Sequence, residues 1–156
     1  MLDSEANELE EKPHKLEILD MIVICFYEFL GTAMLLLGYN FTNDGAAVAF
    51  SLFVGILISN KISGGMFNPA VSIAVYVSSG KIKTHYILFI MTIIAQICGA
   101  YFGIIYAHIV LGAPAVLCPF GSTAGCTSYN GFGKVFLLEL WCTFFFCLCI
   151  LVQITV

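Results

Sequence analysis

The few residues of this chain that could do chemistry stand inside or beside long apolar runs. Glu28 and Glu139 fall within such runs, and the stretch SGGMFNPAVS, residues 63–72, interrupts another. An ionisable side chain at membrane depth is costly, so both glutamates are expected to face inward toward partners. For Glu139, a turn past Val135, a position near lipid headgroups is the alternative. Asn68 followed by Pro69 favours a turn or a helix start.

Nothing in the sequence suggests an enzyme, a metal site or a cofactor. No histidine has a nucleophile or carboxylate in evident reach, and each is interpreted as a tail or interfacial residue: His14, His85 and His108. Five of the seven cysteines lie in apolar runs, where a free thiol behaves as a small hydrophobe. The CTFFFCLC stretch, residues 142–149, lacks the histidine or carboxylate and the spacing of a metal site. Cys118 and Cys126 share a polar loop, so a disulfide between them is possible.

The composition predicts an integral membrane protein. The chain has 156 residues, of which 60% are hydrophobic and 10% charged, and a mean hydropathy of +0.99. A soluble core does not need so much apolar surface. Residues 1–20 carry seven acidic residues and two lysines, a net charge of −5. This N-terminal segment is expected to be a disordered cytosolic tail. It lacks the basic start of a cleavable signal peptide and does not resemble one.

The apolar runs predict an all-α architecture of four spans and a half-span. Because a spanning helix needs about 20 apolar residues, the spans are predicted at residues 21–39, 45–62, 86–111 and 135–156. Residues 68–79 are apolar but only about half as long as a span. Asn68 suits the N-cap of this short helix, and Pro69 suits its first position.

Lysine placement predicts the topology. With a cytosolic N-terminus, the inner side holds five lysines and the outer side only Lys134; the inner ones are Lys12, Lys15, Lys61, Lys81 and Lys83. This asymmetry follows the positive-inside rule. It requires the segment between Lys61 and Lys81 to enter and leave the membrane on the same side. A re-entrant half-helix is therefore predicted, with a kinked single helix or a surface hairpin as the alternatives.

The two glutamates belong to a short internal sequence repeat. YEFLGTAMLL from Tyr27 aligns with LELWCTFFFC from Leu138, so that Glu28 pairs with Glu139 and Thr32 with Thr143, 111 residues later. Inverted repeats with half-helices that meet at the midplane recur in transport proteins.

With these motifs, residues 21–156 resemble the aquaporin (major intrinsic protein) family. SGGMFNPAVS is similar to the first of the family's two Asn-Pro-Ala boxes, EFLGT to its first-helix signature and AQICGA, residues 95–100, to its third-helix signature. The resemblance implies a channel of six spans and two half-helices for water or small neutral solutes, usually a homotetramer.

The resemblance also implies roles for single residues. Asn68 would offer its amide to permeating molecules, and Pro69 and Ala70 would pack the half-helix against its symmetry mate. Three residues would hold re-entrant backbone in place: Glu28, Gln96 and Glu139.

The chain departs from the family pattern in several places. Met66 stands where the family often has His, Cys142 where it has a small Gly, and Val48 where an aromatic residue usually forms the outer constriction. The second box and the filter arginine fall outside these 156 residues, which contain no Arg. Two hypotheses follow: an incomplete chain of a water or glycerol-type channel, or a non-conducting truncated subunit that associates with full-length relatives. A half-pore dimer is disfavoured because its copies would need opposite topologies.

One modification is also predicted. Asn40-Phe41-Thr42 is a glycosylation sequon on the predicted outer side. The host membrane, plasma or vacuolar, is left open by the sequence.

Overall fold

The computed structural model describes residues 18–42, 44–112 and 132–155. These residues form five α-helices and no strand: α1 Ile18–Thr42, α2 Gly45–Ser63, α3 Pro69–Ser78, α4 Tyr86–Leu111 and α5 Phe132–Thr155. The predicted all-helical fold is therefore confirmed. Most of the predicted acidic tail, and the loop with Cys118 and Cys126, lie outside the described residues.

The helices differ in the thickness of membrane that they can cross. Three are long and apolar enough to span a bilayer: α1, α4 and the part Val135–Ile154 of α5. α2 contains a shorter apolar segment, Gly45–Ser59, although its 19 residues rise about 28 Å. α3, with 10 residues, rises only about 15 Å, half of the hydrocarbon thickness.

Small residues bring α1 and α4 into close contact. A Cβ atom added to Gly103 would lie 2.6 Å from the Ala33 carbonyl oxygen, and one added to Gly99 would lie 3.0 Å from the Phe29 carbonyl carbon. Such distances leave no room for a side chain, so the two backbones pack directly against each other. Close backbone packing of this kind replaces the hydrophobic driving force that is missing between helices in lipid.

The segment between α2 and α3 turns sharply inside the protein. Gly64, at φ 89°, ends α2 by donating its N–H to Asn60 O, and Gly65 follows at φ 63°. Left-handed backbone of this kind is the region that glycine adopts without penalty. The chain then enters α3, which packs against α4 and α5. Gly80, at φ 66°, follows the end of α3.

Candidate functional site

A buried glutamate holds the segment that precedes α3. Glu28 is 0% exposed. Its Oε1 accepts hydrogen bonds from Ser63 Oγ (2.7 Å) and Met66 N (3.0 Å), and its Oε2 accepts from Phe67 N and Gln96 Nε2 (both 2.8 Å). An unprotonated carboxylate, which only accepts, can take all four. Hydrogen bonds to a charged acceptor are among the stronger ones in proteins.

The same hydrogen-bond network reaches α3 and the rest of α1. Gln96 Nε2 also donates to Ser72 Oγ at 2.8 Å. The single hydroxyl proton of Thr32 is shared between the Glu28 carbonyl oxygen, 2.7 Å from Oγ1, and the more distant Phe67 carbonyl oxygen at 3.3 Å. We call Glu28 with the side chains Thr32, Ser63, Ser72 and Gln96 the polar cluster. It joins α1, the end of α2, α3, α4 and the loop before α3 at one place.

The local sequence explains why α1 contributes twice to this cluster. Glu28 and Thr32 are four residues apart, so they lie on one face of the helix. Glu28 is the eleventh residue of the 25 in α1, about 15 Å from its start. Gln96 is likewise the eleventh residue of α4. The backbone N–H groups of Met66 and Phe67 are therefore bound near the middle of two membrane-length helices.

Asn68 begins α3 with its side chain in a defined orientation. Its φ and ψ, −148° and 125°, are extended, and its Oδ1 accepts a 2.9 Å hydrogen bond from Ala70 N. Because the Ala70 N–H needs an acceptor, the amide oxygen faces the helix and the Nδ2 group faces away. Among the described residues none bonds to this Nδ2, and Asn68 is half-buried. A free amide donor thus stands at the positive end of the α3 dipole.

A cavity of about 600 Å³ lies along α3 and the loop before it, and Asn68 does not line it. Its wall includes Ser63 of α2, the loop residues 64–66, Val71 and Tyr76 of α3, and Ile150 of α5. Apolar side chains share the lining with polar and charged ones, among them Asn60, Lys81, His85 and Gln153. The loop that the polar cluster holds therefore forms part of a cavity wall.

Other predicted site residues lie outside the polar cluster. Pro69 occupies the first position of α3. Val48 is half-buried in the first turn of α2 and does not line the cavity. Glu139 is exposed on α5, and its role in supporting a re-entrant segment stays a prediction. Asn40, in the last turn of α1, donates its Nδ2 to Leu36 O at 2.9 Å, and its glycosylation also stays a prediction.

Three polar members of the cluster are not predicted from the sequence: Ser63, Ser72 and Thr32. A serine or threonine in an apolar run carries no sign of its partner. The four-residue spacing of Glu28 and Thr32 was the available signal. In the described part of the chain, no group of three His, Cys, Asp or Glu side chains could hold a metal ion.

Comparison with known proteins gives a single family. The family model described as "Major intrinsic protein" matches residues 16–155. The chain is 37% identical over 94 residues to "Aquaporin-1" of Rhizophagus irregularis, which covers 50% of this chain and 34% of that protein. It is 29% identical over 141 residues to "Probable aquaporin TIP-type" of Medicago truncatula, and this alignment covers 83% of this chain and 53% of that protein. The chain spans about half or less of these relatives. No solved structure matches it significantly.

Proposed function

Because the chain belongs to the major intrinsic protein family, we propose that the protein is a channel for passive transport of water or small neutral solutes. The observation that carries this proposal is the Asn68 amide. Its oxygen is held by Ala70 N at 2.9 Å, so its N–H donors are turned away from α3.

The proposed mechanism needs no bound intermediate. A water or hydroxyl oxygen accepts a hydrogen bond from Asn68 Nδ2 and leaves toward the next site. The N-terminus of α3, equivalent to about half a positive charge, repels cations and protons at that point. No step requires a catalytic residue or a cofactor.

The surroundings of the Asn68 amide belong to the same proposal. The unequal distribution of lysines supports a cytosolic N-terminus, with α3 starting at mid-depth and returning to the cytosolic side. Family membership supports a homotetramer in which each subunit has its own pore. Pro69 and Ala70 would pack against a second half-helix, and Val48 would line the outer constriction.

A second candidate function is a non-conducting subunit that associates with full-length channel relatives. The observation that favours it is the surface of α5: none of the candidate span Val135–Ile154 is buried. Large side chains such as Trp141 and Phe145 are 58% and 54% exposed. In this proposal a relative covers that apolar face.

Osmotic swelling of vesicles that contain purified residues 1–156 separates the two candidates. The channel proposal predicts rapid swelling, reduced at least about tenfold by Asn68→Asp, because a mid-membrane charge replaces the amide donor. Asn7→Asp makes the same charge change in the N-terminal segment and should leave swelling unchanged. Equal flux in the Asn68→Asp variant would rule out Asn68 as the donor.

Absence of swelling in the parent chain would reject conduction by these residues alone. In that case the chain is co-reconstituted with a full-length relative. A change in the relative's water flux would support the second candidate function.

A further inference from the structure

Phe67, the residue before the Asn-Pro-Ala box, has an unusual backbone conformation. Its φ is 47°, and it is the one non-glycine residue at positive φ in the described ranges. A left-handed conformation is uncommon for a bulky side chain. Such conformations persist where the surrounding structure over-determines them, and they concentrate at functional sites.

The Phe67 ring fills a notch between two helices. Phe67 is 2% exposed, and its ring lies against Gly31 of α1 and Gly55 of α2. A Cβ atom added to Gly55 would lie 2.9 Å from Phe67 Cε2, and one added to Gly31 would overlap the ring. We call Gly31 and Gly55 the glycine notch. Only residues without a side chain at both positions leave room for the ring.

The backbone of Phe67 is held on both sides of its Cα atom. Its N–H donates to Glu28 Oε2 at 2.8 Å. Its carbonyl oxygen lies 3.3 Å from Thr32 Oγ1 and accepts the longer branch of a hydrogen bond whose shorter branch, 2.7 Å, goes to Glu28 O. Hydrogen bonds to the polar cluster pull the loop toward α1. The ring, which meets helix backbone at the bottom of the notch, limits how far the loop can move.

We propose that Phe67 is a positioning residue whose ring, seated in the glycine notch, sets the depth and direction of the Asn68 amide. Asn68 is the next residue in the chain, so a tilt of the Phe67 backbone directly moves the side-chain amide of Asn68. The proposal rests on the proposed function, in which that amide meets the solute. If the proposal is correct, a larger side chain at position 31 must be compensated by a smaller one at position 67.

The test uses residues 1–156 in vesicles and compares Gly31→Ala, Phe67→Leu and the double variant. Hydrogen exchange of the amides at positions 66 and 67, both bound to Glu28, reports the position of the loop without any transport measurement. Gly31→Ala is expected to speed this exchange about tenfold, because the new methyl group expels the ring and opens these bonds. Water permeability per folded protein should fall with it.

The double variant tests for complementarity of size. Leucine at position 67 lacks the Cε1 and Cζ ring atoms, which a methyl group at position 31 would overlap most closely, so exchange should return to within about threefold of the parent value. Gly133→Ala is the matched control, because no atom of the described residues lies within 4 Å of a Cβ atom there, and both readouts should stay at the parent value. Unchanged exchange in Gly31→Ala, or a double variant that exchanges as fast as Gly31→Ala, would overturn the proposal.

Two further outcomes also decide between the possibilities. If Gly31→Ala does not fold, Phe67→Leu alone should speed exchange at positions 66 and 67 but not along α4. If the amides at positions 66 and 67 exchange as slowly in Phe67→Leu as in the parent chain, Phe67 is rejected as a positioning residue. If the parent chain does not conduct, the proposed function fails, while the exchange measurements still decide whether the ring positions the loop.

Discussion

Two glutamates in the same local frame have opposite surroundings in this molecule. Glu28 is fully buried and accepts four hydrogen bonds, whereas Glu139 is exposed on α5. Each is followed by a threonine four residues later, and each lies in an apolar helix. The neighbouring elements make the difference: α1 packs closely against α4 and the loop, while α5 contacts α3 alone among the described elements.

The two glutamates lie in regions that are packed to different degrees. The side that contains α1, α4 and the loop has glycine-mediated backbone contacts and a polar cluster in which the Glu28 carboxylate accepts four hydrogen bonds. The α5 side has an apolar surface that still lacks a protein neighbour among the described residues. Substitutions at equivalent places on the two sides should therefore have unequal effects.

The largest difference is expected between Glu28→Ala and Glu139→Ala. Removing the Glu28 carboxylate leaves two buried backbone N–H groups and two side-chain donors without their acceptor. Each unpaired donor costs about 1–3 kcal/mol. The free energy of unfolding should therefore fall by more than about 4 kcal/mol. Glu139→Ala should change it by less than about 0.5 kcal/mol. Thermal unfolding in detergent measures both, and equal losses would contradict the comparison.

Packing gives the next largest difference. Gly99→Ala places a methyl group against the Phe29 backbone and should destabilise the protein by about 1–3 kcal/mol through overpacking. Gly133→Ala, on α5, meets open space and should be neutral. Unfolding in a denaturant series distinguishes them. A stable Gly99→Ala variant would mean that α1 and α4 can separate at little cost.

The smallest difference concerns the paired threonines. Thr32→Val removes the 2.7 Å hydrogen bond to the Glu28 carbonyl oxygen together with the longer 3.3 Å one to the Phe67 carbonyl oxygen, and it should cost about 1 kcal/mol. Thr143→Val makes the same change at the equivalent position of α5 and should have no measurable effect. The thermal midpoints of the two variants provide the measurement. If Thr143→Val were the more harmful, the polar cluster would not depend on Thr32.

Much of the fold follows from local sequence. Hydropathy predicts the elements, and α4 begins and ends at the predicted residues 86 and 111, whereas α1 extends three residues beyond its predicted span at each end. α3 starts at Pro69, one residue after the predicted start, because Asn68 serves as the cap. Capping and turn preferences act over a few residues, so such boundaries are visible in the sequence.

Less of the candidate site could be predicted in this way. The residues that bind Glu28 are 35 to 68 positions away in the chain, and no local preference encodes such pairings. The positive φ of Phe67 is not predicted from its residue type, because a negative, β-like or helical φ is expected for phenylalanine. It is imposed by a notch whose two glycines come from different helices.

The sequence by itself determined that this is an all-helical membrane chain of the major intrinsic protein family, with a helix of half-membrane length that Asn68 caps. These properties depend on the apolar character of each run and on residues adjacent in the chain. Only the tertiary structure decided that Glu28, rather than Glu139, binds the loop before that helix, and that Phe67 fills the glycine notch. The physical reason is that a buried charge and a buried ring are tolerated only where distant segments supply donors and space.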